Sequence, residues 1–262
     1  MHRLDKLHAG ITEYFGGRLS LAPLEDTTPE RILELGFALK AIQAATQFPA
    51  ADVLGVDISP IPPRPLPPNL RWQYVDLTQD PFPPELAEGT FDIVHARLVM
   101  MHLPHGASIL QRAAALVRPG GWLLVEDPDD DRMRDGGGAL GPGMARFVGC
   151  WRALLRARGA EPALGRALEG LVRGTGLFEG GRAGVWVRRV VVPLSEKSAD
   201  EAENRLGRAW KANMVRNTRD LPARLAAHGI TEEVAAQTLE ELLDPERNLT
   251  TDMYFLWARR RA

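Results

Sequence analysis

Three histidines are placed where an imidazole can serve as a base. His95, His102 and His105 lie in or just after the apolar run at residues 90–97, which predicts a strand. Imidazole accepts protons near neutral pH, and a residue a few positions beyond a strand suits the rim of a pocket. His95 lies inside the strand and is interpreted as structural. His102 is therefore the candidate general base, and the alternative is a rim histidine that only shapes the pocket.

An aspartate closes the first βαβ unit of the chain. Residues 31–36 form an apolar run that stops at Gly36, and residues 52–57 form a second run that ends at Asp57. The helix-like stretch at residues 41–48 joins them, so the two strands are expected to be parallel. An acid about 20 residues past the first glycine is where nucleotide-binding folds hold the ribose hydroxyls.

A second aspartate, Asp76, ends the alternating run at residues 70–76, which predicts the third strand. The carboxyl ends of parallel strands in an open sheet are the usual place for ligands. An acid at this position is therefore a candidate ligand group. The alternative is a turn, because Asp-x-Thr favours a strand-end turn.

Strand and helix patterns alternate along most of the chain, which predicts an α/β fold. We expect a doubly wound, mostly parallel sheet of about seven strands with an antiparallel last strand. The further predicted strands are residues 122–126, 184–193 and 252–259. The further predicted helices are residues 4–14, 106–117, 144–158, 162–174 and 199–217, with another that begins at Thr231.

Two segments between these elements have unusual compositions. Residues 60–68 hold six prolines, which predicts a stiff surface connector; the alternative is a ligand for a proline-recognising domain. Residues 127–142 are acidic and then glycine-rich, which predicts a mobile, solvated loop over the pocket. The alternative there is a metal site, but the acids lack calcium-loop spacing and no histidine cluster accompanies them.

Composition narrows the functional classes. The 262 residues are 45% hydrophobic and 25% charged with a net charge of −2, so nucleic acid and anionic membranes are not expected as partners. A single cysteine, no apolar run of about 20 residues and no signal-peptide core predict a cytoplasmic protein. The sequence has no metal-ligand spacing, nucleophile elbow or phosphate-binding loop, which disfavours hydrolase and nucleoside triphosphatase chemistry.

Four segments together resemble the class I S-adenosylmethionine (SAM)-dependent methyltransferases, closest to their fungal and actinobacterial small-molecule branch. They are Glu-Leu-Gly at 34–36, Val-Asp at 56–57, Phe-Asp-Ile-Val-His-Ala-Arg at 91–97 and Arg-Pro-Gly-Gly-Trp-Leu-Leu-Val-Glu at 118–126. The order and spacing of the four segments carry the resemblance, because each alone is a weak signal.

The resemblance implies SAM as cofactor and a small-molecule methyl acceptor. It implies that Asp57 faces a ribose, that Asp76 accepts from an adenine amino group, and that an N-terminal helix with Tyr14 covers the cofactor. The alternative for Tyr14 is ordinary core packing. The implied cofactor contacts are Glu34, Gly36, Asp57, Ile58, Asp76, Leu77 and Arg97. A single domain is expected, with a helical cap (1–29), a cofactor-binding half (30–127) and a substrate-side half (128–262) that carries a helical insertion near 199–243.

One departure from the family concerns the turn after the first strand. The family usually has three glycines there, whereas this chain continues from Gly36 with Phe-Ala-Leu-Lys and is about two residues short. The shorter turn predicts weak SAM binding in an otherwise intact fold. Two alternatives stay open: a non-catalytic protein of methyltransferase fold, and a nicotinamide-dependent oxidoreductase. The segment at 118–126 favours a methyltransferase over the oxidoreductase.

Overall fold

A seven-stranded sheet forms the centre of the computed structural model. The structure describes residues 3–36, 38–60, 64–178 and 184–262, and for residues 3–5, 38 and 39 it describes the backbone alone. The strands are β1 (Arg31–Leu35), β2 (Asp52–Asp57), β3 (Leu70–Tyr74), β4 (Phe91–Arg97), β5 (Val117–Asp135), β6 (Val185–Pro193) and β7 (Leu249–Arg259). Their order across the sheet is β3-β2-β1-β4-β5-β7-β6.

The pairing confirms the predicted fold class. Strands β3, β2, β1, β4 and β5 run parallel, and β7 lies antiparallel between β5 and β6. The helices that flank the sheet are α1 (Arg3–Tyr14), α2 (Ala38–Gln47), α3 (Gly106–Leu116), α4 (Pro142–Ala157), α5 (Leu164–Gly174), α6 (Glu201–Asp220), α7 (Pro222–Leu225) and α8 (Glu232–Leu243).

The two faces of the sheet are covered by different helices. In β1, Leu33 and Leu35 belong to the core cluster that contains α3 and α5, whereas Ile32 belongs to the cluster that contains α2. This alternation follows from the period of two along a strand, and all three residues are fully buried. A strand that is apolar on both faces is what a sheet covered on both faces requires.

The turn between β1 and α2 is short. Gly36 has a φ of 85° and α2 begins at Ala38, so only residues 36 and 37 lie between the strand and the helix. The predicted helix at 41–48 therefore begins three residues earlier than expected. Phe37 lies outside the described residues, as do residues 61–63 of the proline-rich connector.

The prediction of a mobile, solvated loop at residues 127–142 is wrong for residues 127–135, which continue β5, and residues 136–141 connect that strand to α4. Strand β5 continues to Asp135 and pairs with β7 along the acidic segment, where Asp129 lies opposite Asp252. Arginines from later helices balance these acids: Asp131 pairs with Arg156 at 3.0 Å and with Arg166 at 2.7 Å. The acidic run looked solvated because its partners lie far away in the sequence.

The N-terminal helix α1 packs against α6 and the end of β7. Phe15 is 2% exposed, and its ring meets the Phe255 ring edge-on at 5.0 Å. Tyr14 stacks on the same Phe255 ring at 5.9 Å. These contacts support the packing alternative for Tyr14. None of the helices in the described ranges is long and apolar enough to cross a membrane.

Candidate functional site

Four ionisable side chains pair on one face of the sheet, where β1, β4 and β5 run side by side. Glu34 lies opposite His95 in the register, and Arg97 lies opposite Glu126. Glu34 Oε1 is 2.5 Å from His95 Nδ1, and His95 Nε2 is 3.5 Å from Glu126 Oε1. Arg97 also pairs with Glu126 through its Nε. All four are at most 3% exposed, and we call them the buried ion cluster.

The pairing within the buried ion cluster offsets the cost of burying charge. Burial disfavours the ionised form of Glu126, but Arg97 and His95 outweigh it and lower the Glu126 pKa to about 2. Burial likewise opposes a charge on His95, yet Glu34 and Glu126 raise its pKa. Two carboxyl groups therefore face two cations, and each group has a partner at short range.

Helix α1 closes the cluster from above the sheet. Arg97 Nη1 donates to His8 Nδ1 at 2.9 Å, and Arg97 Nη2 donates to the Leu19 carbonyl at 2.9 Å. Burial and the Arg97 guanidinium lower the pKa of His8 to about 2, so this imidazole is neutral and accepts the hydrogen bond. Arg97 is thus fully engaged by the protein itself.

Lys40 brings a further cation to the same place. It is the third residue of α2, it is 2% exposed, and its Nζ donates to the Arg97 carbonyl at 2.6 Å. Burial lowers the Lys40 pKa to about 8, while the nearby Glu34 opposes that change. The early start of α2 places this amine over the carboxyl ends of β1 and β4.

Asp127 lies beside this amine in β5 and is fully buried. Burial raises its pKa to about 8, although Lys40 and the amides of Met100 and Met101 act in the opposite direction. Those two amides lie close enough to lower the pKa, although neither carboxylate oxygen meets the geometry of a hydrogen bond in the described part of the chain. Burial thus opposes the charged form of both Asp127 and Lys40, while the attraction between the two groups favours it.

The carboxyl ends of β2 and β3 are open by comparison. Asp57 is partly exposed and accepts from the Ser59 amide at 2.8 Å, and the next residue, Ile58, is 56% exposed. Asp76 accepts from the Thr78 amide at 2.9 Å and from its hydroxyl at 2.7 Å, which lowers the Asp76 pKa. Each carboxylate keeps a second oxygen that can accept from a ligand.

The predicted contact residues thus fall into two groups. Asp57, Ile58 and Asp76 lie at the open edge, with Leu77 buried beneath at 6% exposure. Glu34 and Arg97 belong to the buried ion cluster, and Gly36 lies at the turn beside it. Their role in cofactor binding stays a prediction.

His102 lies beyond β4 in a short 3-10 turn, Met100–His102. Its imidazole is exposed, and the Trp151 ring meets it edge-on at 6.1 Å. This is the rim position that its spacing predicts, and its catalytic role stays a prediction. Among the described residues, no group of histidine, cysteine or acidic side chains is arranged to hold a metal ion.

Comparison with known proteins assigns the family. A sequence model described as a methyltransferase domain matches residues 7–177. Methyltransferase str2 of Strobilurus tenacellus is 35% identical over 258 residues, which cover 98% of this chain and 90% of that protein. The chain is a class I SAM-dependent methyltransferase by family. Methyltransferase str3 of the same fungus is 39% identical over 212 residues, or 80% of this chain and 73% of that protein.

A solved structure agrees with the fold. Phosphoethanolamine N-methyltransferase 2 of Haemonchus contortus, solved in complex with SAM, superposes with a TM-score of 0.52 at 17% sequence identity. The match covers 98% of this chain and 53% of that one, so this chain spans about half the length of that protein. At this identity the likeness concerns the fold alone. The nicotinamide alternative is set aside by the family assignment.

SAM is the cofactor of this family, and the residues present fit it only in part. The open carboxylates of Asp57 and Asp76 have the acceptor chemistry that a ribose and an adenine amino group need. The ends of β1 and β4 do not fit the amino-acid part, because the Lys40 side chain and its partners fill that space. A Cβ on Gly36 would lie 2.4 Å from Val99 Cγ2, so the turn is also packed against the protein.

Sequence reasoning missed the buried ion cluster, although a signal was present. Glu34, His95 and Arg97 interrupt apolar runs that are otherwise suited to buried strands. Polar groups inside such runs need buried partners, and the period of two places His95 and Arg97 on one face. Which acids would meet them depends on the register between strands, and sequence patterns do not supply it.

Proposed function

We propose that the protein transfers a methyl group from SAM to a small-molecule acceptor of the kind made in secondary metabolism. The observation that carries this proposal is the pair of open carboxylates, Asp57 and Asp76, at the carboxyl ends of neighbouring parallel strands. The similarity to two fungal methyltransferases along most of their length supports it. The net charge of −2 favours a small acceptor over a nucleic acid.

The proposal gives Asp57 and Asp76 the task of holding the nucleoside part of SAM. Position is the main contribution that a protein makes to methyl transfer, since the sulfonium already has a good leaving group. His102 at the rim is the candidate base for an acceptor that must lose a proton. Trp151 restricts the rotation of that imidazole from one side.

The test uses purified protein, SAM labelled in its methyl group and a small-metabolite extract. Mass spectrometry of the extract should reveal labelled methyl products that need both protein and SAM. Asp57→Ala should weaken SAM binding by about 1–3 kcal/mol, the scale of a hydrogen bond whose buried partner is left unpaired. The matched control is Asp52→Ala, at the opposite end of the same strand, where the carboxylate pairs with Arg71 at 2.6 Å on the surface.

Two results would count against this proposal. If SAM binds the protein but an extract rich in candidate acceptors gains no label, the result would argue against methyl transfer. Equal SAM affinity in Asp57→Ala and the natural protein would remove Asp57 from the site. Loss of affinity in Asp52→Ala to the same degree would indicate general damage to β2.

A second candidate function is nucleoside binding without transfer, and Lys40 favours it. The amine fills the region that the amino-acid part of SAM would need, while the nucleoside side stays open. Binding of adenine nucleosides without any labelled product, over the same panel of extracts, would favour this candidate.

A further inference from the structure

Strand order sets the direction in which a bound cofactor must extend. Strands β2 and β3 lie on one side of β1, and β4 and β5 lie on the other. A ligand whose nucleoside is held by Asp57 and Asp76 therefore extends its tail across the carboxyl end of β1 towards β4. The tail of SAM carries an amino group, a carboxylate and, next to the ribose, a positively charged sulfonium.

The Lys40 ammonium already occupies that route. Its Nζ donates to the Arg97 carbonyl at 2.6 Å, and Arg97 is the last residue of β4. A strand-end carbonyl is an acceptor that the amino group of the tail would otherwise use. Two ammonium groups compete for one such carbonyl and also repel each other, strongly so in a buried place.

The charge around Lys40 opposes the cofactor further. The two carboxyl groups of the buried ion cluster are engaged by His95 and Arg97. Lys40 adds a further buried basic group beside them, so a sulfonium placed there would have to share the same two carboxyl groups with it. A neutral nucleoside without the amino-acid tail meets neither the steric nor the electrostatic obstacle.

The turn before α2 fixes Lys40 in this position. Residues 36 and 37 alone separate β1 from α2, so the first turn of the helix lies directly over the strand end. The backbone at Gly36 is covered by Val99, whose Cγ2 would lie 2.4 Å from an added Cβ. The tail of a ligand that approached the end of β1 would therefore meet the side chains of Val99 and Lys40 instead of a bare backbone turn.

We infer that Lys40 is an internal plug for the amino-acid half of the SAM site, so that the site takes an adenine nucleoside without that tail at least as well as SAM. The inference rests on the proposed placement of the nucleoside beside Asp57 and Asp76. It adds a ligand class, neutral adenine nucleosides such as 5′-methylthioadenosine, and it identifies Lys40 as the residue that determines specificity against SAM.

The test is calorimetric titration with SAM and with 5′-methylthioadenosine. The natural protein should bind the nucleoside as tightly as SAM or more tightly. Lys40→Ala should tighten SAM binding about tenfold and leave nucleoside affinity within about twofold. Lys40→Met keeps the length of the side chain and removes its charge, so it should tighten SAM binding about threefold. This variant also keeps the test possible if the alanine variant does not fold. Lys211→Ala on α6 is the matched lysine control and should change neither affinity.

Several results would overturn the inference. The first is that the natural protein binds SAM about tenfold more tightly than the nucleoside. The second is that the ratio of the two affinities is unchanged in the folded Lys40 variants. The third is that the nucleoside does not bind at all. The proposed function fails separately. Nucleoside binding with the expected change of ratio, but no methyl transfer by any variant, leaves the inference standing and removes the enzyme. Tight SAM binding with methyl transfer by the natural protein would overturn the inference about Lys40 and leave the proposed function standing.

Discussion

Replacement of Glu126 by glutamine tests the energetics of the buried ion cluster. The carboxylate lies 1% exposed between Arg97 and His95, so Glu126→Gln removes one charge and keeps the shape of the side chain. Two cations would then face Glu34 alone in a dry environment. Removal of one partner from a buried pair usually destabilises a protein by about 3–5 kcal/mol, because a buried charge loses its compensation.

The pKa of Glu126 gives an independent magnitude. The value of about 2 in the folded protein lies well below the ordinary 4.5. At about 1.4 kcal/mol for each tenfold change in proton affinity, ionisation contributes about 3 kcal/mol to the free energy of unfolding at pH 7. Because the folded-state pKa is depressed, this contribution is present above pH 4.5 and is lost as the pH falls towards 2. At pH 3 about 1 kcal/mol of it remains.

The assay is urea denaturation of the natural protein and Glu126→Gln at pH 7, 4 and 3. The difference in free energy of unfolding should be about 3 kcal/mol at pH 7 and should shrink steadily as the pH falls. Glu169→Gln is the matched control, because Glu169 is 52% exposed and pairs with Arg173 on the surface of α5 at 2.9 Å. It should change stability by no more than about 0.5 kcal/mol. A difference below about 1 kcal/mol for Glu126→Gln at pH 7, or one that does not depend on pH, would refute this account of the cluster.

Three further predictions concern packing and charge elsewhere. Gly207→Ala should destabilise by about 1–3 kcal/mol or more in thermal melts, because its Cβ would lie 2.0 Å from the Pro193 carbonyl oxygen; Gly170→Ala has open space and should stabilise by about 0.5–1 kcal/mol. Glu241→Gln should cost about 1 kcal/mol in urea denaturation, because its carboxylate accepts from two amides at the start of α4 at 2.7 and 3.1 Å. Asp127→Asn should become more stable relative to the natural protein as the pH rises from about 4 to 8, because the raised folded-state pKa of about 8 makes ionisation of this acid destabilising there. Equal urea midpoints for the two proteins at pH 5 and pH 8 would contradict the last prediction.

The sequence predicted the strands well because most of them are continuous apolar runs closed by turn residues. The run at 31–36 and the run at 52–57 correspond to β1 and β2 almost residue for residue. The N-cap at Thr231 is also confirmed, since its side chain accepts from the Val234 amide at 3.3 Å. Such signals are local, so neighbouring residues suffice to detect them.

The failures share one cause, which is that the decisive partner lies far away along the chain. The local composition at the acidic end of β5 predicts a solvated loop, because the partners of Asp131, Arg156 and Arg166, follow it by 25 and 35 residues. The buried ion cluster escaped detection because Glu34 and His95 are 61 residues apart. Patterns within one segment carry no information about such pairs, whereas the register of the sheet determines them.

The open edge of the candidate site followed the predicted positions more closely than the buried edge. Asp57 ends β2 and Asp76 lies two residues beyond the end of β3, and a parallel sheet places the carboxyl ends of its strands at one edge. The position of Lys40 depends instead on where α2 begins. Because the helix begins at Ala38, Lys40 lies in its first turn, and its amine reaches the Arg97 carbonyl at the end of β4. A different start would place a different side chain there without a change in the fold.

The shortened first turn therefore separates fold from ligand binding in this chain. Strand β1 pairs with β2 over residues 31–35 and with β4 over residues 32–35, and all of these β1 residues precede the turn. The turn can lose residues while the sheet keeps its order, because α2 still packs its Ala41 and Ala44 against the same face of the sheet. The turn sets the position of Lys40 relative to β4 together with the hydrogen bond from the Lys40 Nζ to the Arg97 carbonyl. Similarity to other methyltransferases assigns the family and its cofactor, and the Lys40 variants test how tightly SAM binds at the turn where the chain departs from the family pattern.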